Sequence, residues 1–133
     1  MTVSESLAVP AHSLAYLGDA VFELCVREAL VRKRDLTLNE LNQLAKRYVS
    51  ADAQHKMYHE IYDSLSETEQ AVIKRGRNLR ASSRAKHAEM GAYRHATGLE
   101  TLFGFLYLSA QANRLEEVFG LCAKAAEKRN ADT

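Results

Sequence analysis

Two stretches of this chain are almost purely apolar, and each is interrupted by acid. Between Leu14 and Val26 the only charged residues are Asp19 and Glu23, four apart and so on one face of a helix. Between Ala96 and Ala112 the only one is Glu100. Gly18 stands directly before Asp19, and Thr97 and Gly98 lie just ahead of Glu100, so weak helix formers sit in otherwise well-matched helical runs. Glycine and aspartate together cost roughly 1.5 kcal/mol there relative to alanines. A carboxylate buried without a partner is expensive, so each of these acids needs a cation. The cation is either an arginine, with Arg27 or Arg94 as partner in an internal salt bridge, or a metal. In the second case Asp19 and Glu100 face each other across a helix pair and hold Mg²⁺, a hard ion that takes carboxylates and keeps several waters. Spacing alone leaves both open.

The elements that must position these acids are helices. One proline, six glycines and no tryptophan in 133 residues argue against a barrel or sandwich, which needs frequent turn signals. The pattern predicts an all-α fold of about six helices. The first runs from about His12 to Arg34, with basic residues at its C-terminal end. Thr37 with Glu40 forms a capping box for a second helix to about Arg47, and Ser50 caps a third to about Asp63. Ser66 with Glu69 opens a fourth to about Arg80. A small, basic segment from Ala81 to Ala88 reads as a mobile loop, followed by a fifth helix from about Glu89 to Gln111. Asn113 with Glu116 caps a sixth to about Lys128. Apolar residues go all round the first and fifth helices, which predicts that these two form the buried central pair.

An apolar content of 47% supports one domain over residues 1–133, with a core over about 12–128. Cys25 and Cys122 lie in apolar runs without zinc-like spacing and read as reduced, buried thiols of a cytoplasmic protein. The N-terminus has neither a basic nor an apolar leader region, and no stretch is apolar enough to span a bilayer, so no membrane or export role is expected. Net charge is only +1, but its distribution is uneven: seven basic residues stand against one acid, Glu89, between Lys74 and Arg94. The remainder of the chain is correspondingly acidic, so the molecule is electrically polarised.

The run LAYLGDAVFE resembles the ribonuclease III signature, in which an apolar pair, Gly, Asp and an apolar tail open the catalytic helix. ATGLETLFGFLYL is similar to that family's second acidic motif, and together the resemblance spans roughly His12 to Phe119. It places the signature aspartate at Asp19 and the metal-binding glutamate at Glu100. The larger enzymes have acids where this chain has Ala15 and Thr97, so two of the usual four acidic ligands are replaced. KRYVSADAQ from Lys46, KRGRN from Lys74 and YRHATGLE from Tyr93, in this order with LAYLGDA, resemble the Mini-ribonuclease III branch. That branch has the nuclease domain without a double-stranded RNA-binding domain, and little chain follows residue 128 to form one.

The resemblance implies an endoribonuclease that cuts double-stranded RNA, leaves 5′-phosphate ends and acts in maturation of large-subunit (23S) ribosomal RNA precursor. It implies Asp19 and Glu100 as metal ligands and catalytic groups, with Mg²⁺ as cofactor and Mn²⁺ compatible with the same oxygen ligands. With Ala15 and Thr97 in place of acids, weak Mg²⁺ affinity is expected without RNA. Thr97 keeps a hydroxyl that can reach a water on the metal, and Glu23, which no motif matches, reads as structural or supporting. Because A-form RNA is recognised by shape and backbone, Arg75, Arg77, Arg80, Arg84 and Lys86 are the expected phosphate contacts. Partners implied are double-stranded RNA, a second copy of the chain in a homodimer, and a ribosomal protein presenting the substrate. Surplus apolar surface on such a short chain agrees with the dimer. The alternative function is an inactive RNA-binding or ribosome-assembly module on the same fold, suggested by Ala15 and Thr97 and opposed by the retention of Asp19 and Glu100. A plain helical interaction domain with both acids paired to arginines is a further alternative.

Overall fold

The computed structural model describes residues 1–79 and 87–131, apart from the side chains of 87–90 and 129–131. These residues form seven α-helices: α1 (Val3–Leu7), α2 (Ala11–Arg32), α3 (Leu38–Val49), α4 (Ala51–Ile61), α5 (Glu67–Arg77), α6 (His87–Leu108) and α7 (Ala112–Ala131). A 3-10 turn over Tyr62–Ser64 follows α4. The all-α expectation therefore holds, with one short N-terminal helix more than the sequence suggested.

The capping boxes form as predicted. Thr37 accepts from the Glu40 amide while Glu40 accepts from the Thr37 amide, and Ser66 and Glu69 do the same for α5. Ser50 accepts from the Ala53 amide to start α4. Other boundaries differ from expectation. After α2 the chain turns through Arg34 and Asp35 at φ 61° and 59°, which stops the helix at Arg32. The 3-10 turn shortens α4 to Ile61, and α5 ends at Arg77 rather than near Arg80. Ala112 already belongs to α7, so Asn113 lies inside that helix and is not its cap. The predicted loop falls mostly on residues 80–86, outside the described residues.

Helices α2 and α6 form the most extensive contact in the molecule, as their all-round apolar pattern requires. α4, α5 and α7 pack on the remaining sides of α6. Phe22 of α2 meets Phe103 of α6 edge to face at 5.1 Å between ring centroids, and Phe119 of α7 closes on both. Leu14, Met57, Ile73, Leu99, Leu102 and Leu106 are fully buried around them. Burying a side chain of this size stabilises by about 1.5–3 kcal/mol, so the α2–α6 seam is among the last parts of the fold to open. No helix among the described residues is long and apolar enough to cross a membrane.

Candidate active site

The site begins with two glycines. Gly18 is buried, and a Cβ there would overlap the carbonyl of Glu100 and lie 2.8 Å from the amide nitrogen of Gly104. A Cβ on Gly104 would in turn overlap the carbonyl of Leu14. α2 and α6 therefore cross backbone against backbone, closer than any larger residue allows. This crossing sets Asp19, the next residue along α2, beside Glu100 of α6. The helix-weakening Gly18 is what brings the two acids together.

Their electrostatics follow from that contact. Burial pushes the Glu100 carboxyl up to about 8, assisted by its hydrogen bond with Asp19 and by the charge on Asp19. Neither acid forms an ion pair among the described residues. Arg27, one of the two arginines open as a partner, is bound instead to Glu23 at 3.0 Å on the α2 surface. That contact is a surface pair one helical turn apart and gives Glu23 a partner away from Glu100. Two carboxylates in contact, one of them desolvated and neither paired with a basic side chain among the described residues, fit an oxygen-ligand site for a hard divalent cation such as Mg²⁺ or Mn²⁺.

Around the pair, Thr97 lies one turn before Glu100 and donates its hydroxyl to the Tyr93 carbonyl at 2.9 Å, keeping its lone pairs available. Ala15, one turn before Asp19, offers no polar atom. On another side of α6, Gly98 and Gly76 allow a second close crossing, since a Cβ on Gly98 would lie 2.7 Å from the Ile73 carbonyl. α5 is thereby held rigidly along the helix that carries Glu100.

The basic residues divide. Arg75 donates to the carbonyls of Leu7 and Val9 at 3.1 and 2.9 Å, tying the segment between α1 and α2 to α5. Both terminal nitrogens of its guanidinium thus have intramolecular partners, a role that nothing in the local pattern announces. Arg77 is half-buried and, among the described residues, makes long contacts of 3.4 Å to the Tyr58 hydroxyl and to Asn78. Arg80, Arg84 and Lys86 lie outside the described residues. The sequence reading also passed over three histidines, His55, His59 and His95, that the fold gathers between α4 and α6. The spacing of His55 and His59, one helical turn apart, was available as a signal; the approach of His95 was not.

A groove of about 740 Å³ is separate from the acid pair. It lies between α2, the end of α6 and the start of α7, with Cys25, Glu28, Leu106 and Phe119 in its walls.

A ribonuclease III domain model matches residues 12–111. A Mini-ribonuclease 3 of Symbiobacterium thermophilum is 41% identical over 128 residues, covering 96% of this chain and 98% of the relative. Those of Brevibacillus brevis, 46% identical over 79% of this chain and 78% of theirs, and of Enterococcus faecalis, 40% identical over 89% and 91%, are also similar. A solved structure of a Fusobacterium nucleatum protein superposes with a TM-score of 0.77 at 26% identity, covering 88% of this chain and 93% of that one. With the crossed helices and facing acids described above, these matches establish that the chain belongs to the ribonuclease III family of endoribonucleases, in its Mini-ribonuclease III branch.

Proposed function

We propose that the protein is a Mg²⁺-dependent endoribonuclease that cuts double-stranded RNA as a homodimer, in maturation of large-subunit ribosomal RNA precursor. The observation that carries this reading is the uncompensated contact between Asp19 and Glu100 at the α2–α6 crossing. A divalent ion held by these carboxylates supplies Lewis acidity, lowering the pKa of water and offsetting charge on the phosphate under attack, with Mn²⁺ able to serve in place of Mg²⁺. Glu100 must surrender its proton before it can bind a cation, so metal and proton compete at this residue. With Ala15 and Thr97 in place of further acids, Asp19 and Glu100 would hold the ion weakly in the free protein.

Arg77 makes no short hydrogen bond among the described residues and stays a proposed phosphate contact, and Arg80, Arg84 and Lys86 continue the same basic run. Arg75 fixes α5 through its two carbonyl bonds and keeps its charge within the same proposed basic run. A homodimer is supported by Tyr16, Leu24 and Val31, apolar side chains exposed at 86%, 65% and 65% along α2. Two such subunits place one acid pair against each RNA strand. The free thiols Cys25 and Cys122 accord with a cytoplasmic setting, where a ribosomal protein could present the precursor.

The test is incubation of wild type and Asp19→Asn with long double-stranded RNA at low salt, with Mg²⁺ or with chelator. Cleavage to 5′-phosphate ends that needs both the ion and Asp19 is expected. Ala15 and Thr97 favour a second reading, an inactive ribosome-assembly module. Wild type that binds RNA but never cuts it, with Mn²⁺ or with structured ribosomal RNA precursor, would establish that reading instead.

A further inference from the structure

Three imidazoles converge on the side of α6 away from the acid pair. His55 and His59 stand one turn apart on α4 and so point the same way; His95 comes from α6. One ring nitrogen from each lies within 4.8 Å of the other two, and the ring centroids are 4.6–4.7 Å apart. His55 Nδ1 and His95 Nδ1 approach to 2.9 Å, a distance at which the two cannot both carry a proton toward each other. His95 Nδ1 also lies 2.7 Å from the Gly91 carbonyl. Donation to a backbone carbonyl by one ring nitrogen is the arrangement that orients a histidine to ligate through the other.

The surroundings favour neutral rings. Burial, then the charge of His59, holds His55 below the usual histidine range, while Asp52 acts the other way and Lys56 adds to the lowering. Burial also lowers His95, with His55, His59 and Arg77 in support and the Gly91 carbonyl in opposition. The Tyr58 ring packs edge-on against His95 at 4.5 Å, walling the cluster on the α5 side, where Arg77 reaches the Tyr58 hydroxyl. His59 is exposed, so a fourth coordination position opens to solvent.

From this geometry we infer that His55, His59 and His95 form a second metal site, selective for a borderline transition ion of the Zn²⁺ class. Three imidazole nitrogens at about 2.0–2.1 Å with one open position is a tetrahedral arrangement such ions accept. Such ligation needs nitrogens roughly 3.4 Å apart, and the three already lie within 4.8 Å of one another on two helices packed together. Mg²⁺, which prefers oxygen and six ligands, is rejected by the same set. The two sites therefore sort divalent cations by chemistry: hard ions go to Asp19 and Glu100, borderline ions to the histidines. Since His95 and Glu100 lie five residues apart on α6, about 140° apart round the helix, the histidine-bound ion staples α4 to the helix that carries the catalytic glutamate.

The experiment titrates untagged, metal-stripped full-length protein with Zn²⁺, and with Co²⁺ as a spectroscopic substitute, in the presence of excess Mg²⁺. One equivalent of Co²⁺ developing the visible absorption of tetrahedral nitrogen coordination is expected, with a rise in Tm on adding Zn²⁺. His59→Ala, at an exposed position that leaves folding intact, and His95→Ala should each weaken binding about tenfold or more. Asp19→Asn should leave binding unchanged. No Zn²⁺ binding by wild type, binding unaltered by both histidine substitutions, or binding lost in Asp19→Asn would each overturn the assignment.

Discussion

Asp19 and Glu100 face each other without a compensating cation among the described residues, so in the metal-free protein Asp19→Asn removes a repulsion once Glu100 ionises, near pH 8. The sign with pH is definite. Glu100 carries its proton in the folded state up to about 8, against 4.5 unperturbed, so between these values the folded state binds more protons than the unfolded. Its contribution to stability is thus full below pH 4.5 and is lost as pH rises toward 8. Asp19→Asn abolishes the part of the shift due to Asp19 and leaves that due to burial. With chelator present, the variant should exceed wild type by about 1–2 kcal/mol at pH 8 and by less at pH 5, on the scale of relieved active-site strain. Urea unfolding at the two pH values checks this, and a variant less stable at both would mean that Asp19 is a structural partner. At this scale the acids were legible because charge inside an apolar run breaks a local rule. Arg75 was not, because the carbonyls that hold it come from Leu7 and Val9, more than sixty residues away.

The glycines of the helices are not equivalent. Gly18→Ala places a methyl against the backbone carbonyl of Glu100, which cannot rotate away, so α2 and α6 must part. A loss of about 2–3 kcal/mol is expected, with cleavage falling further than stability because the carboxylates separate too. Gly120→Ala on α7 meets nothing within 4 Å and should stabilise by about 0.5–1 kcal/mol. Denaturation midpoints of the two variants, with cleavage rates measured where both are folded, separate close approach from mere helix propensity. Capping boxes were readable at Thr37–Glu40 and Ser66–Glu69, and the same pattern at Thr2–Glu5 announces α1, overlooked because the apolar run after it is so short. The end of α6 was not readable. There Ala110 takes φ 57° and completes a Schellman turn, with Gln111 donating to Leu106, where a glycine would have marked the stop.

Over the whole molecule, shape and charge have separate supports. Glu69, nearly buried, receives two hydrogen bonds of 2.8 Å from Arg114, which also reaches the Ser64 carbonyl, and this strut fixes α7 to the start of α5. The exposed stripe on α2 is different, since its residues remain mostly uncovered among the described residues. Leu24→Lys should convert a dimer to monomer in sedimentation while leaving the helical content of each subunit unchanged. A monomeric wild type would remove the homodimer from the proposed function. The sequence hinted at surplus apolar surface but could not say which face carried it, because all-round apolar helices conceal which side is left uncovered.

The two thiols sit at different depths in this architecture. Cys25 borders the large groove, where burial and then Glu28 push it up to about 11, while Cys122 lies on the fully buried face of α7 with its thiol raised by burial. Only a thiolate reacts with a disulfide reagent, and only when the reagent can touch it. The chain thus carries its own pair of clocks: modification of Cys25 times the local breathing of the groove, and modification of Cys122 times the release of α7 from the core.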